Sequence, residues 1–311
     1  MLFNFSVDGR KQTKHIYATV EMPDFRFTFL TEKELPELHD TFLQAFADYL
    51  VPIQLSSDQF KAKIKREGIT PSFCVAAYAG TEMAGFILTG LGEWHGKPTA
   101  YNAGTGVLPQ YRGYNLAQQL YAFLLPKLRE SGVEQCLLEV IQENAPALRA
   151  YKAVGFNKTR SLDLLRAQKA ELLLKEGEPD TAVAIDAVSK PDWRTYVHFW
   201  DAEPSWQNTA EAIKRSPDEK VMLEARNEEQ EVVGYIILFP NAGSVAQFAV
   251  DKRSRGKGIG TALLREAVEL TKVTSLMFVN IDSTSTSLLS YLERRHFRHV
   301  LSQYEMLLPI V

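Results

Sequence analysis

Two stretches of the chain, Gln110 to Leu128 and Arg253 to Leu270, place arginine and glycine just before apolar residues at helical spacing. The chemistry such a junction offers is anion binding. The first backbone N–H groups of a helix lack partners within it, and the aligned peptide dipoles add positive potential at the same end. Glycine at Gly256, Gly258 and Gly260 lets a phosphate approach those donors, while Arg255 and Lys257 add charge. The upstream copy offers Arg112, Gly113, Tyr114 and Asn115, with Leu116 and Ala117 opening the helix. One such turn alone would more often be a basic surface turn. Two copies, each preceded by a strand-like segment, favour binding. A Walker loop is excluded because Lys257 is followed by Gly258 instead of Ser or Thr, and a dinucleotide fingerprint would need glycine at Thr261.

Both loops need a helix pinned to a sheet. Leu116, Leu120, Leu124 and Leu128 form one apolar stripe, and Ile259, Leu263, Ala267 and Leu270 form the other. From Phe25 the pattern reads strand FRFTF, helices between Glu32 and Lys65, strands FCVAAYA and AGFILTGL, a strand from Tyr101 to Val107, and the first glycine helix. Strand QCLLEVI, helix ALRAYKAV and a strand from Phe156 follow. The same order returns as VAIDAV, a helical region to Arg215, VMLEAR, VVGYIILF, VAQFAV, the second glycine helix, LMFVNI, a helix near Leu288 to Arg294, and FRHVLSQYEMLL. Aligning Gln110 with Arg253 superimposes the halves, so a duplicated α/β domain explains the length of 311 residues. The expected division is an extension over 1–24, a first domain over 25–166, a charged connector over 167–180 and a second domain over 181–311.

Composition narrows the class. With 45% hydrophobic and 23% charged residues the chain reads as globular. A net charge of −3 gives no electrostatic reason to expect nucleic acid. No apolar run is long enough to span a bilayer, and Asn4, Ser6 and Asp8 interrupt the hydrophobic start, so no membrane partner and a cytoplasmic address are expected. Cys74 and Cys136 each sit in an apolar segment and are expected to be buried thiols, and six scattered histidines show no metal-ligand spacing.

The residues around the two loops resemble the GNAT superfamily of acyl-coenzyme A dependent N-acyltransferases, here in a tandem two-domain form. Its motif, Gln or Arg, two residues, Gly, one residue, then Gly or Ala, is matched in full by Arg253, Gly256 and Gly258. The first copy has Gln110 and Gly113 but Asn115 in the last place. Downstream, Asn144, Tyr151 and Gly155-Phe156 resemble the family's late Asn…Tyr…Gly-Phe signature. The resemblance implies two tandem domains of α/β (α+β) class, each a mixed, mostly antiparallel sheet flanked by helices. Two neighbouring strands splay apart to admit acetyl-CoA. It further implies direct attack by a primary amine, on a small molecule or a peptide, upon the acetyl thioester.

Carried onto this chain, the resemblance places coenzyme contacts on the two loops and makes the backbone N–H groups of Val107 and Val250 oxyanion donors. It gives Tyr151 the role of general acid. Tyr151 could instead pack its helix on the sheet, and Asn144 could hold the pantetheine arm or cap that helix. The second domain departs at the same place: Leu292 stands in the Tyr151 register beside Tyr291, and Ser285 replaces Asn144. No base is assigned. Glu139 either faces the acceptor or lies against a helix. Asp48, Tyr49, Trp200, Asp201, Glu203 and Trp206 lie where acceptor contacts usually come from, or else form a mixed surface and core, while Trp94 and His95 read as loop surface. Chemistry in the first domain leads. Chemistry in the second, and a non-catalytic acyl-coenzyme A sensor, are the alternatives.

Overall fold

A computed structural model describes residues 24–51, 53–174 and 183–310. In the first repeat β1 (Phe25–Phe29) leads through α1 (Leu35–Ala45) and α2 (Ser57–Glu67) to β2 (Val75–Ala79), β3 (Glu82–Trp94) and β4 (Lys97–Val107). Helix α3 (Leu116–Glu130), β5 (Gln135–Ile141), α4 (Ala145–Val154) and β6 (Asn157–Gln168) complete it. The second repeat runs β7 (Ala184–Ala187), α5 (Trp193–Tyr196), α6 (Ala210–Arg215), β8 (Val221–Arg226), β9 (Val232–Phe239) and β10 (Ser244–Val250). Then come α7 (Ile259–Leu270), β11 (Ser275–Asp282), α8 (Thr286–Glu293) and β12 (Arg298–Pro309).

Local chemistry sets the boundaries. Helix α2 starts with a capping box between Ser56 and Gln59 and stops at left-handed Gly68. The helical region expected up to Arg215 is broken instead: α5 has four residues and α6 six, with 3-10 turns between them. Pro204 cannot donate a helical hydrogen bond, and Asp192 and Thr209 each cap a fresh start. The extension, apart from Asp24, lies outside the described residues. The expected connector begins as ordered chain, because Ala167 and Gln168 still belong to β6 and Lys169 N donates to Thr274 O at 2.8 Å.

The two repeats share one sheet of twelve strands, in the order β1-β2-β3-β4-β5-β12-β6-β11-β10-β9-β8-β7. Their last strands are exchanged: β12 lies between β5 and β6, and β6 lies between β12 and β11. The segments 25–166 and 181–311 therefore each complete the sheet of the other. The centre of the exchange is the antiparallel pair Gln303 and Leu162. Parallel pairing occurs at β4 with β5 and at β10 with β11. Every other neighbouring pair is antiparallel.

Both glycine helices bury the expected stripe: Leu116, Leu120, Leu124 and Leu128 pack in one cluster, and Ile259, Leu263 and Ala267 in another. Leu270, the last residue of α7, is exposed, and Leu264 and Val268 widen the buried face in its place. Cys74 and Cys136 are buried, which pushes each thiol up to about 12. Among the described residues no helix is long and apolar enough to cross a membrane.

Candidate active site: two unequal clefts

Strands β10 and β11 pair only at Ser244 with Met277 and Val245 with Phe278, and then diverge. A cavity of about 1170 Å³ opens at that divergence. One end is the glycine loop. Gly256 and Gly258 hold φ of 82° and 85°, the left-handed region in which glycine is unstrained. No heavy atom stands within 4 Å of where a Cβ on Gly256 would lie, and α7 has no side-chain cap, so its first N–H groups remain available. A Cβ on Gly260 would crowd the Phe248 ring at 3.1 Å. Asp251 N donates to Val233 O at 2.9 Å across β9. Because successive N–H groups of a strand alternate sides, that of Val250 turns toward β11 and the gap. Asn280, at φ of 60°, lines the cavity, and its buried Oδ1 has no hydrogen-bond partner among the described residues. Such an orphan is costly unless a ligand satisfies it.

The opposite face of this cavity is aromatic and amide-lined. Trp200 Nε1 donates to the Tyr235 hydroxyl at 2.6 Å, Tyr235 donates to Gln247 Oε1 at 2.8 Å, and Gln247 Nε2 donates to Asn208 O at 2.6 Å. Glu203 and Asp282 supply carboxylates. Both are reached from the first repeat. Arg160 Nη1 donates to Glu203 O at 2.6 Å and to Asp282 Oδ2 at 3.4 Å, while its Nε and Nη2 hold Glu305 Oε2 at 2.9 and 2.8 Å. His95 pairs with Glu203 at 3.1 Å.

In the first repeat β4 and β5 diverge in the same way after Asn102 and Leu138. Here the chain's own side chains fill the gap. Tyr151 is buried against Tyr121 and Phe156, with ring centroids at 6.3 and 5.7 Å. The Asn102 amide donates to the Tyr121 hydroxyl at 2.6 Å and to Thr105 Oγ1 at 2.9 Å. Tyr49, beyond the end of α1, packs edge-on against Phe46 with ring centroids 5.2 Å apart. Burial raises the phenols of Tyr49 and Tyr151 above the usual range. Farther along, Tyr101 donates to Glu139, stacks on Trp206 at 5.0 Å and accepts from Gln207 Nε2 at 3.1 Å. A segment of the second repeat thus covers Tyr101 of the first. Burial pushes Glu139 up to about 7.

The profile of the Acetyltransferase (GNAT) family matches residues 35–156 and again 185–297. The chain belongs to this family. A mycothiol acetyltransferase of Thermobifida fusca is 31% identical over 136 residues, which is 42% of this chain and 42% of that protein. An N-alpha-acetyltransferase of Arabidopsis thaliana is 29% identical over 92 residues, 30% of this chain and 48% of that protein. The chain therefore spans less than half the length of each relative. A tandem GNAT protein from the clavulanic acid biosynthesis pathway shares the fold at a TM-score of 0.69 and 13% identity, covering 93% of this chain and 99% of that one. A GCN5-related N-acetyltransferase from Sphaerobacter thermophilus does so at 0.67 and 18%, covering 93% and 97%.

Against this GNAT scaffold, several expected contacts take other roles. The Arg255 guanidinium donates to Asp201 Oδ2 at 2.9 Å, Phe199 O at 3.0 Å and Val250 O at 3.0 Å. Arg112 repeats this with Asp48 Oδ2 at 2.6 Å, Ala45 O at 3.1 Å and Val107 O at 3.2 Å. Both arginines brace the loop to the segment after the repeat's first helix, and Asp48 and Asp201 are their partners. Gln110 donates to Glu82 and Arg253 donates to Asp251. Tyr114 meets Phe25 edge-on, and Leu116 packs in the core, leaving its N–H to the loop. Gly113 and Asn115 keep the left-handed turn at φ of 88° and 56°, Ala117 follows in the first turn of α3, and Lys257 is exposed.

Asn144 caps α4 through Ala147 N at 3.1 Å, and Ser285 precedes α8 without a side-chain cap. Leu292 is buried in the place Tyr151 holds in the first repeat, while Tyr291 lines the cavity. Trp94, expected at the surface, is buried in a cluster with Trp206, because the exchange of strands turns the end of β3 into an interface. Arg160 and Gln207 escaped the sequence reading because they act across repeats. Tyr49 left one signal, since it follows the braced Asp48 where Ala202 follows the braced Asp201.

Proposed function

We propose that the protein is an acetyl-CoA dependent N-acetyltransferase acting on a primary amine of a small molecule or a peptide, with coenzyme and chemistry in the cleft between β10 and β11. The observation that carries this reading is the cavity of about 1170 Å³, which joins the complete glycine loop to a polar acceptor face. The residues fit the coenzyme. Open Gly256, left-handed Gly258 and the uncapped start of α7 offer N–H groups to a pyrophosphate, and Asn280 Oδ1 can accept from an amide of the pantetheine arm. Bound acetyl-CoA supplies an activated thioester. The N–H of Val250 is positioned to stabilise a developing oxyanion, a contribution typically worth ~10²–10³ in rate. The Trp200, Tyr235 and Gln247 relay orients the acceptor. Glu203, on the rim beside His95, is the carboxylate through which a proton can leave toward solvent.

A second reading keeps chemistry in the first cleft with Tyr151 as general acid, and one observation favours it: the second repeat carries buried Leu292 in that register. Separate Gly113→Asp and Gly256→Asp variants decide between the two, read by thioester consumption with a panel of primary amines and by calorimetry with acetyl-CoA. A carboxylate at a phosphate site costs several kcal/mol, about 10²-fold or more in affinity. Loss with Gly256→Asp alone supports the second cleft. Loss with Gly113→Asp alone supports the first.

A further inference from the structure

Glu203 belongs to the second repeat, but the first repeat holds it twice. Arg160 Nη1 of β6 donates to its carbonyl at 2.6 Å, and His95 Nε2 stands 3.1 Å from its Oε2. His95 and Gly96 form the two-residue turn between β3 and β4, with Trp94 paired to Lys97 across it. Both turn residues hold positive φ, 52° for His95 and 75° for Gly96, where asparagine or aspartate before glycine is the ordinary choice. Histidine is tolerated there, but the turn itself gives no reason for an imidazole. The imidazole does have a fixed place. Its ring stacks on Trp94 at 4.9 Å, and buried Trp94 lies against Trp206 at 6.3 Å and under the Arg160 guanidinium at 5.4 Å. The same arginine therefore fixes Glu203 on one side and the platform of His95 on the other.

We infer that His95 of the first repeat is the proton-relay partner of Glu203, so that each turnover in the second cleft uses a side chain from the other half of the chain. The inference deepens the proposed function and rests on it. An acceptor arriving as an ammonium gives one proton to the Glu203 carboxylate, which lines the cavity. Imidazole is ordinarily a stronger base than a carboxylate, so the proton passes to His95 Nε2 and from the ring to water. The freed nitrogen lone pair forms the N–C bond to the acetyl carbon as the C–S bond breaks. Sulfur leaves with that electron pair and takes the second proton from nitrogen, so one proton per turnover is released and Glu203 is ionised again. Both side chains are open to the solvent that receives the proton, His95 60% and Glu203 46% exposed. His95 acts only through Glu203: it positions that carboxylate and takes its proton away.

Turnover of acetyl-CoA by the full chain, with the panel amine consumed fastest, tests the relay. An exposed pair contributes little to stability, so His95 variants are expected to keep the wild-type melting temperature. His95→Gln can still donate to Glu203 but cannot carry a proton, and His95→Ala does neither. Both are expected to lose about tenfold or more in kcat, with calorimetric affinity for coenzyme A unchanged. Imidazole added to His95→Ala is expected to restore turnover, and to leave wild type and His95→Gln as they were. A wild-type kcat in either variant overturns the relay, and so does a loss in His95→Ala that imidazole does not recover. Undiminished turnover and coenzyme binding by Gly256→Asp contradict the assignment of chemistry to the second cleft instead, so the two failures are distinguishable.

Discussion

The two repeats differ less in scaffold than in what occupies the gap each scaffold creates. Both splay their fourth and fifth strands, both brace the glycine loop with an arginine on an aspartate, and both direct a strand N–H into the gap. In the first repeat Asn102 bonds Thr105 and Tyr121, the Tyr151 ring packs against Tyr121 and Phe156, and Trp206 and Gln207 of the second repeat cover Tyr101. In the second, Val245, Phe248, Leu264 and Leu292 occupy the matching positions and the cavity stays open. A duplicated fold thus has one half whose gap is filled by its own side chains and one half whose gap stays open, with the unpartnered Asn280 Oδ1 lining it.

The largest expected effect tests whether the halves are independent. Arg160→Met would leave Glu305, 3% exposed, without its partner at the seam. Breaking a buried pair typically costs ~3–5 kcal/mol. Denaturant unfolding should show that loss as a single transition, because the exchanged strands tie the repeats together; two separated transitions would show that they are separate units.

Glu139 gives a smaller effect with a defined sign. Burial holds its carboxyl at about 7 in the folded chain, against an ordinary value near 4.5. The unfolded chain therefore ionises first as pH rises, so stability falls between pH 4.5 and about 7 and then levels off. At ~1.4 kcal/mol per pKa unit the loss reaches about 3 kcal/mol. Glu139→Gln should flatten that slope in thermal melts across the range, and an unchanged slope would place the proton elsewhere.

The smallest effect makes the halves alike. Ala202→Tyr puts on the cavity wall the residue that follows the braced Asp48 in the first repeat, and it should weaken coenzyme binding by at least about tenfold, ~1.4 kcal/mol, with melting temperature little changed. Unaltered affinity would mean that this position does not govern access.

Much of this architecture was legible in the chain. The strands FRFTF and QCLLEVI, the stripes of α3 and α7, and the order of elements in both halves follow from period and glycine placement. The exchange of β6 and β12 was not, because FRHVLSQYEMLL alternates equally well beside either partner and nothing local names its neighbour. The same limit hid the seam. Trp94 reads as loop surface until Trp206 covers it, and nothing in the sequence around Arg160 shows that Glu203, Asp282 and Glu305 converge on it. In the loops, spacing revealed where a phosphate could lie but not that Arg112 and Arg255 already had aspartates.

The central claim is that coenzyme enters the second cleft, and a crystal structure of the full chain with bound coenzyme A tests it most directly. The expected density runs from the N–H groups of Gly256 to Gly260, past Asn280, between β10 and β11. Coenzyme lying between β4 and β5, and the cavity beside α7 empty, would contradict it.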